Sequence, residues 1–400
     1  MGSRNLPRLR LKKGEDRRLR AGHLWVYSNE VDTANTPLKA YEAGQLAHLE
    51  DHRGSLLGTA YVNPHTLICA RLLGRDADAR LDAAWLKQRV ARALVLRAAL
   101  FEQPCYRLVY GESDGLPGLV VDRFAGVLVA QITTAGMERV RNEIVAVLEE
   151  LLQPEAILLR NDTPARELEG LDTGVETVLG TLPGTVTVEE NGARFEVPLA
   201  GGQKTGWYYD HRFNRARMQQ YVRDKRVLDV FSYIGAWGIE ALVAGAHEVT
   251  CVDGSQRMLA QARHNAALNG RGENLMAIAG DAFDVMKQLQ KDGQTFDAVV
   301  LDPPAFVKRR KDLDEGALAY RRLNTQAMEL LAPEGILVSA SCSYHMPRER
   351  LLSEIRRAGQ RARRWLQVLE QGHQGLDHPV HPAMPETDYL KSYIVRVCTP

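Results

Sequence analysis

Cys342 is the residue with the most reactive side chain at a telling position in this 400-residue chain. It lies in the run "ILVSASCSYHM", whose first part reads as a strand ending at Ser341. A thiol just past the carboxyl end of such a strand sits where open α/β sheets bind ligands. Carbon 5 of a pyrimidine is a poor nucleophile. A thiolate that adds to carbon 6 makes carbon 5 enamine-like, able to take a methyl group from a sulfonium, which is nucleophilic catalysis by an activated cysteine. Nearby cationic stretches favour the thiolate. Cys69, Cys105, Cys251 and Cys398 read instead as small buried fillers. The preceding strand ends "VVLDPPAFVKRR", where Asp302 is followed by Pro303 and Pro304. Each proline lacks an N–H and has a fixed φ, so the loop is stiff. It holds Asp302 and its neighbouring carbonyls at a pocket mouth, where the carboxylate can bind a base edge and stabilise charge at nitrogen 3.

A third set of residues predicts a cofactor. In "VLDVFSYIGAWG", Asp229 closes a strand, and Gly235 and Gly238 lie in the turn into a helix. The next strand ends at Asp253, 18 residues after Gly235, which suits hydrogen bonds to both ribose hydroxyls. A third strand leads to Asp281, placed for an adenine edge. Phe231 and Tyr233 stand where a dinucleotide fold needs its first two glycines, so a pyrophosphate has no room, and no Walker-A sequence is present. An adenine- and ribose-bearing ligand without phosphate fits, and S-adenosylmethionine is the expectation, lined by Asp229, Phe231, Tyr233, Gly235, Asp253, Asp281, Asp302 and Pro303. No metal site is expected. Ahead of this region, "GGQKTGWYYDHRFNR" crowds Lys204, Tyr208, Asp210 and Arg212 into a Gly-rich loop, which reads as a lid over cofactor or RNA backbone.

The elements that must carry these residues fall into three blocks. Residues 1–74 alternate short apolar runs with turns and predict a small β module with a cationic edge. Residues 75–184 open with an amphipathic helix over 81–101, followed by three strands over 106–110, 119–123 and 127–133, a helix over 137–152 and a strand over 156–160, an α+β module. Residues 185–400 begin with a hairpin turned at Asn191-Gly192 and continue as alternating strands and helices, which predicts a doubly wound α/β sheet. No apolar run approaches the roughly 20 residues of a membrane span. With no signal-peptide pattern and no paired C-x-x-C, a reducing cytoplasm is the expected compartment.

Net charge is +1, which by itself argues against a nucleic-acid partner. The charges are not evenly spread. The windows 1–30, 204–226, 308–322 and 347–364 hold 28 of the 51 basic and only 10 of the 50 acidic residues. Lys12, Lys13, Arg17, Lys204, Arg212, Lys308 and Arg309 are the candidate RNA contacts, forming a localised path that leads toward the thiol.

Taken in order, "GHLWVYSNEV", "GESDGLPGLVVDRF", "GQKTGWYYDHR", "LDVFSYIGAWG", "LDPPAF", "SASCSYHM" and "DHPV…PETDYLK" resemble bacterial 23S ribosomal RNA 5-methylcytosine methyltransferases of the large-subunit methyltransferase I type. The resemblance runs over essentially the whole chain. It implies an N-terminal PUA domain that binds RNA, a central α+β domain of strand-strand-helix-strand-strand order with helix 81–101 as a linker, and a C-terminal class I methyltransferase domain. It also implies that Asp229, Gly235, Asp253, Asp281 and Asp302 line the S-adenosylmethionine site and that Cys342 is the nucleophile. The "DPPAF" loop lacks the second cysteine with which many RNA cytosine methyltransferases release product, so another group must assist release and remove the carbon-5 proton. 23S rRNA, free or in a large-subunit precursor, is the implied partner, and a homodimer is compatible with the sequence. Two rivals remain. One is amino-group methylation of RNA without a covalent step, whose enzymes use a similar Asp/Asn-Pro-Pro loop; there an aromatic directly follows the prolines, whereas here Ala305 precedes Phe306. The other is a non-catalytic RNA-binding assembly factor.

Overall fold

The computed structural model describes residues 6–77, 79–199 and 205–399. Two compact units emerge, comprising residues 1–186, 198–207 and 376–387 in the first, and 187–197, 208–375 and 388–400 in the second. The second unit is therefore not one unbroken stretch from 185 onward, because three parts of that stretch, 185–186, 198–207 and 376–387, belong to the first unit.

The first unit holds two sheets. One consists of β1 (Arg8–Arg10), β2 (Trp25–Tyr27), β3 (Gln45–Glu50), β4 (Leu56–Val62) and β5 (Ile68–Gly74) in the order β1-β3-β4-β5-β2, with the short helix α1 (Arg17–Arg20) after the first strand. Leu9, Leu11, Leu19, Val26, Leu49 and Val62 form its dry core. The other sheet contains β6 (Cys105–Tyr110), β7 (Leu119–Phe124), β8 (Val127–Ile132), β9 (Ala156–Arg160) and β10 (Val175–Gly180), in the order β10-β9-β8-β7-β6. It is accompanied by α2 (Ala83–Leu100), α3 (Ala135–Glu138), α4 (Arg141–Leu152) and α5 (Pro164–Leu168).

Two expectations are corrected here. Three strands precede the central helix α4, as the residue pattern predicts, and not the two of the order that the resemblance implies, because β6, β7 and β8 form a continuous antiparallel meander. Helix α2 is also no linker. Its N-cap Asp82 accepts the Trp85 N–H, and Trp85, Leu86 and Val90 join the same core as Leu108, Ile144 and Leu159. An amphipathic helix beside an open sheet buries its apolar stripe there rather than leaving it in water.

The second unit opens with the hairpin β11 (Thr185–Glu190) and β12 (Ala193–Pro198). Asn191 and Gly192 both have positive φ, 52° and 84°, as a two-residue type I′ turn requires. Helix α6 (Arg212–Met218) follows, and then β13 (Arg226–Val230), α7 (Ala236–Val243), β14 (Glu248–Asp253), α8 (Gln256–Leu268), β15 (Leu275–Ala279), α9 (Ala282–Lys291), β16 (Phe296–Leu301), α10 (Leu313–Leu330), β17 (Leu331–Ser341), α11 (Arg348–Arg361), β18 (Trp365–Gly372) and β19 (Lys391–Cys398). The sheet order is β15-β14-β13-β16-β17-β19-β18. β13 pairs in parallel with both β14 and β16, while β19 runs antiparallel to β17 and β18. The central strands are near-continuous apolar runs because helices cover both faces. The chain builds outward from β13 to β15, then crosses back to β16. That reversal opens a crevice at the carboxyl ends of β13 and β16, the place where such sheets take ligands. Among the described residues, no helix is long and apolar enough to cross a membrane.

Candidate active site

The turn leaving β13 is strained where it matters. Phe231 and Tyr233 have φ of 66° and 52°, and Gly235 has φ of 83°. Two bulky residues in the left-handed region cost stability and persist where the surroundings over-determine them. Here the turn is fixed by backbone bonds from Phe231 N and Ser232 N to Val252 O, 2.9 and 3.0 Å, and by Tyr233 N to Asp253 Oδ2, 3.0 Å. Asp253 Oδ1 also accepts from Ser255 N at 2.8 Å. The half-buried Asp253 carboxylate is thus held rigidly at the end of β14. Asp281 is exposed and caps α9, its Oδ1 accepting from Phe283 N and Asp284 N at 2.9 and 3.2 Å.

Asp229, at the end of β13, anchors the turn. It is fully buried. Its Oδ2 accepts the Gly238 N–H at 2.9 Å, so it anchors the start of α7. A Cβ on Gly238 would lie 2.7 Å from Val249 Cγ1 and 3.2 Å from Asp229 Oδ2, so only glycine allows this approach. Asp229 Oδ1 has no hydrogen-bond partner. Burial pushes its pKa up to about 7, and the charges of Asp302 and Asp253 add to the rise. A carboxyl whose folded pKa lies above its unfolded value stabilises the fold fully below the unfolded pKa and loses that contribution as pH rises toward 7. Asp229→Asn is therefore expected to flatten the loss of stability between pH 4 and pH 7, a term on the order of 4 kcal/mol. Urea unfolding of both proteins across that range checks it; parallel pH curves would reject the assignment.

A cationic ligand suits this donor set. Three carboxylates, Asp229, Asp253 and Asp302, end three adjacent strands, and the last two raise the proton affinity of the first. S-adenosylmethionine brings a sulfonium and an ammonium to such a site, whereas a pyrophosphate would add negative charge to it.

Across the crevice, Asp302 is gripped by two residues the sequence reading did not single out. Its Oδ2 accepts from Trp237 Nε1 at 3.1 Å, and its Oδ1 stands 3.2 Å from His211 Nε2. Asn214 Nδ2 meets His211 Nδ1 at 3.2 Å, which leaves Nε2 as the N–H facing Asp302. Burial pushes the Asp302 carboxyl up, but His211 and Trp237 outweigh it and hold the pKa below the ordinary value. Both residues lay inside motifs already noticed, "YYDHR" and "IGAWG". The signal for them was an imidazole and an indole N–H in otherwise apolar turns.

Cys342 lies just past β17, half-buried, with Sγ 4.0 Å from the Pro303 carbonyl oxygen. The thiol loop and the Asp-Pro-Pro loop are tied together. Val307 N donates to Ser343 Oγ at 3.1 Å, Tyr320 Oη lies 3.1 Å from the same oxygen, and Ser341 Oγ donates to Tyr320 Oη at 2.8 Å. The Phe306 ring packs on Tyr320 at 4.9 Å and meets Phe231 edge-on at 6.5 Å. Lys391, opposite Ser341 in the sheet, is buried and donates to the Ser343 and Tyr389 carbonyls, both at 2.7 Å. Burial lowers its pKa to about 8, with Asp388 and Cys342 partly opposing the fall. Tyr208 stacks edge-on against Tyr233 at 5.6 Å. Burial, and then the charges of Tyr233, Asp302, Asp210 and Cys342, push its phenol up and keep it protonated.

The basic residues divide. Lys12, Lys13, Arg17, Lys308 and Arg309 are exposed. Lys12 Nζ donates to Asn29 O at 2.8 Å, and Arg309 Nε pairs with Asp312 at 3.0 Å. Lys204 lies outside the described residues. Arg212 is corrected as an RNA contact. Its side chain is 11% exposed, with Nε bonded to Glu190 Oε2 at 2.9 Å. The same holds for much of the cationic surplus. Arg215 is bound to Glu190 and Glu240, and Arg321, Arg350 and Arg357 converge on the buried Glu354. Windows along the chain count charge without the acids that folding brings to them.

The sheet order, the strained turn and the acidic strand ends define a class I S-adenosylmethionine-dependent methyltransferase. A family model described as S-adenosylmethionine-dependent methyltransferase matches residues 166–384, and one described as PUA-like domain matches residues 9–75. Ribosomal RNA large subunit methyltransferase I of Klebsiella pneumoniae is 38% identical over 98% of both chains. Its counterpart from Shewanella frigidimarina is 37% identical over 98% of this chain and 99% of its own. The chain belongs to the ribosomal RNA large subunit methyltransferase I family. Among solved structures, a SAM-dependent methyltransferase from Streptococcus mutans superimposes with a TM-score of 0.83 at 20% identity, over 98% of this chain and 100% of its own. A methyltransferase complexed with SAH does so at 0.84 and 21%, with the same coverage. These two likenesses show the fold.

Proposed function

We propose that this protein methylates carbon 5 of a cytosine in 23S ribosomal RNA, with Cys342 as covalent nucleophile. The observation that carries the reading is the pairing of Cys342 with the Asp-Pro-Pro loop: Sγ lies 4.0 Å from the Pro303 carbonyl oxygen, and Val307 N and Ser343 Oγ lock the two loops together. When bound, S-adenosylmethionine supplies an electrophilic methyl group on a sulfonium. Asp253, Asp281, Phe231, Tyr233, Gly235 and Pro303 are the residues that would hold it, with Asp229 supporting the turn from beneath. Cys342 Sγ bonds to carbon 6 of the cytosine, and the electron pair of the 5,6 double bond moves to carbon 5, which becomes the nucleophile. Asp302, kept ionised by His211 and Trp237, orients the base edge. The Lys391 ammonium, buried behind the thiol loop, favours the thiolate electrostatically. Loss of the carbon-5 proton and cleavage of the Sγ–carbon 6 bond release product. Lys12, Lys13, Arg17, Lys308 and Arg309 would meet RNA phosphates, with salt-sensitive affinity.

A 23S rRNA fragment carrying 5-fluorocytosine tests the mechanism. The fluorine cannot leave as a proton does, so the covalent adduct should persist on a denaturing gel. Amino-group methylation would transfer label without any adduct, and an assembly factor would transfer none.

A further inference from the structure

The first unit contains a cavity of about 620 Å³, lined by none of the residues assigned above to methyl transfer. That volume is within the usual range for small-molecule sites. Three aromatic rings line it, those of Trp25, Tyr27 and Tyr110. Leu67 and Leu168 lie at it with 67% and 77% of their surface in solvent, so apolar surface is left open there. Two buried polar atoms of its lining residues make no hydrogen bond. Arg71 is 92% buried and uses its Nη1 on Glu169, 2.8 Å away, yet its Nε has no partner. Glu386 Oε2 is likewise buried without a hydrogen bond, its one charged neighbour among the described residues being His23 Nε2 in a long ion pair at 3.6 Å. An unpaired buried donor or acceptor costs about 1–3 kcal/mol, so the pair marks a place built to be completed by a ligand.

We propose that this cavity takes an unpaired guanine of the RNA substrate, flipped between the aromatic rings. The ligand must be flat and apolar on its faces, and must carry both an acceptor for Arg71 and a donor for Glu386. Guanine presents O6 and N7 as acceptors and two adjacent donors, N1–H and the 2-amino group, which is the pattern that satisfies a carboxylate. Single-stranded RNA is read in this manner, by stacking on aromatic side chains and hydrogen bonds to exposed base edges. A phosphate is unsuited, because Glu112, Glu169 and Glu386 all lie at the cavity against Arg71. The inference rests on RNA being the substrate, but not on the chemistry at Cys342.

Binding of free nucleosides to the full-length protein, measured by calorimetry at millimolar concentration, separates the two. Guanosine is expected to bind at least about tenfold more tightly than adenosine, cytidine or uridine, in line with the stacking and edge contacts involved. Glu386→Gln should lower guanosine affinity by about tenfold, and inosine, which lacks the 2-amino group, should bind weakly to both proteins. Leu168→Trp, at a solvent-exposed position that tolerates change, should close the mouth and abolish binding. For methylation of a 23S rRNA fragment, Glu386→Gln should raise KM and leave kcat unaltered. Equal binding of all four nucleosides, no guanosine binding, or guanosine binding untouched by Leu168→Trp would overturn the proposal. Guanosine binding in a protein that fails to form 5-methylcytosine would sustain it and refute the Cys342 reading alone.

Discussion

Cys342→Ala is expected to abolish formation of 5-methylcytosine, with a fall in kcat of at least ~10³-fold, the scale seen when an enzyme loses its nucleophile. The fold should survive, since the thiol is half-buried and alanine removes only a sulfur. S-adenosylhomocysteine should bind as before, because the strained turn and Asp253 do not depend on Sγ. Two readouts are needed together: tritium transfer from labelled cofactor into rRNA, and cofactor affinity by calorimetry. Full-rate methylation by the variant would sink the covalent mechanism. Loss of cofactor binding along with activity would mean that the loop, and not the thiol, had failed. A companion variant, Asp302→Asn, keeps the hydrogen-bonding shape yet loses the charge that His211 and Trp237 hold in place. It should reduce kcat more modestly and still form the 5-fluorocytosine adduct.

The second large effect concerns stability. Glu190, at the end of β11, is fully buried and receives Arg212 and Arg215, the latter through Nε at 2.8 Å. Arg215 Nε also meets Glu240 Oε1 at 3.0 Å, and Asn191 Nδ2 donates to Glu240 Oε2 at 2.8 Å. One hairpin and two helices, α6 and α7, are pinned by this cluster. Arg215 holds Glu190 ionised against the cost of burial, while burial leaves Glu240 with a strongly raised pKa. Glu190→Ala would strand two arginines without their shared acceptor. Breaking a buried pair in this way costs about 3–5 kcal/mol, which lowers Tm by roughly 6–20 °C for a unit of this size. Activity should fall as well, because α6 begins beside His211, which grips Asp302. The exposed pair Arg194–Glu189 is the control. Arg194→Ala should cost below about 1 kcal/mol. Thermal melts that place the two variants together would show that the cluster is not a structural keystone.

Secondary structure was legible where pattern and burial agree. The strands Glu248–Asp253, Leu275–Ala279 and Ala156–Arg160 fall where the apolar runs begin and end. β2 and β18 escaped notice for opposite reasons. Trp25–Tyr27 is only three residues long, inside a basic stretch. Trp365–Gly372 is an edge strand, largely exposed, with no apolar alternation to announce it. Both are recruited by neighbours, β5 and β19, through backbone bonds that any sequence can make.

Residue types and spacing alone pointed to the S-adenosylmethionine-dependent class: acidic strand ends with no room for pyrophosphate, beside a stiff Asp-Pro-Pro loop after the fourth parallel strand. Local sequence can do this because period, turn residues and strand ends are set within a few positions. Tertiary structure decided which of those groups are available. It turned Asp229 inward to anchor α7, spent Arg212 on Glu190, and brought His211 and Trp237 onto Asp302 and Lys391 behind Cys342. These outcomes depend on partners dozens of residues away. Burial and charge pairing, not residue type, fix whether a carboxylate or a guanidinium faces a ligand or holds the fold.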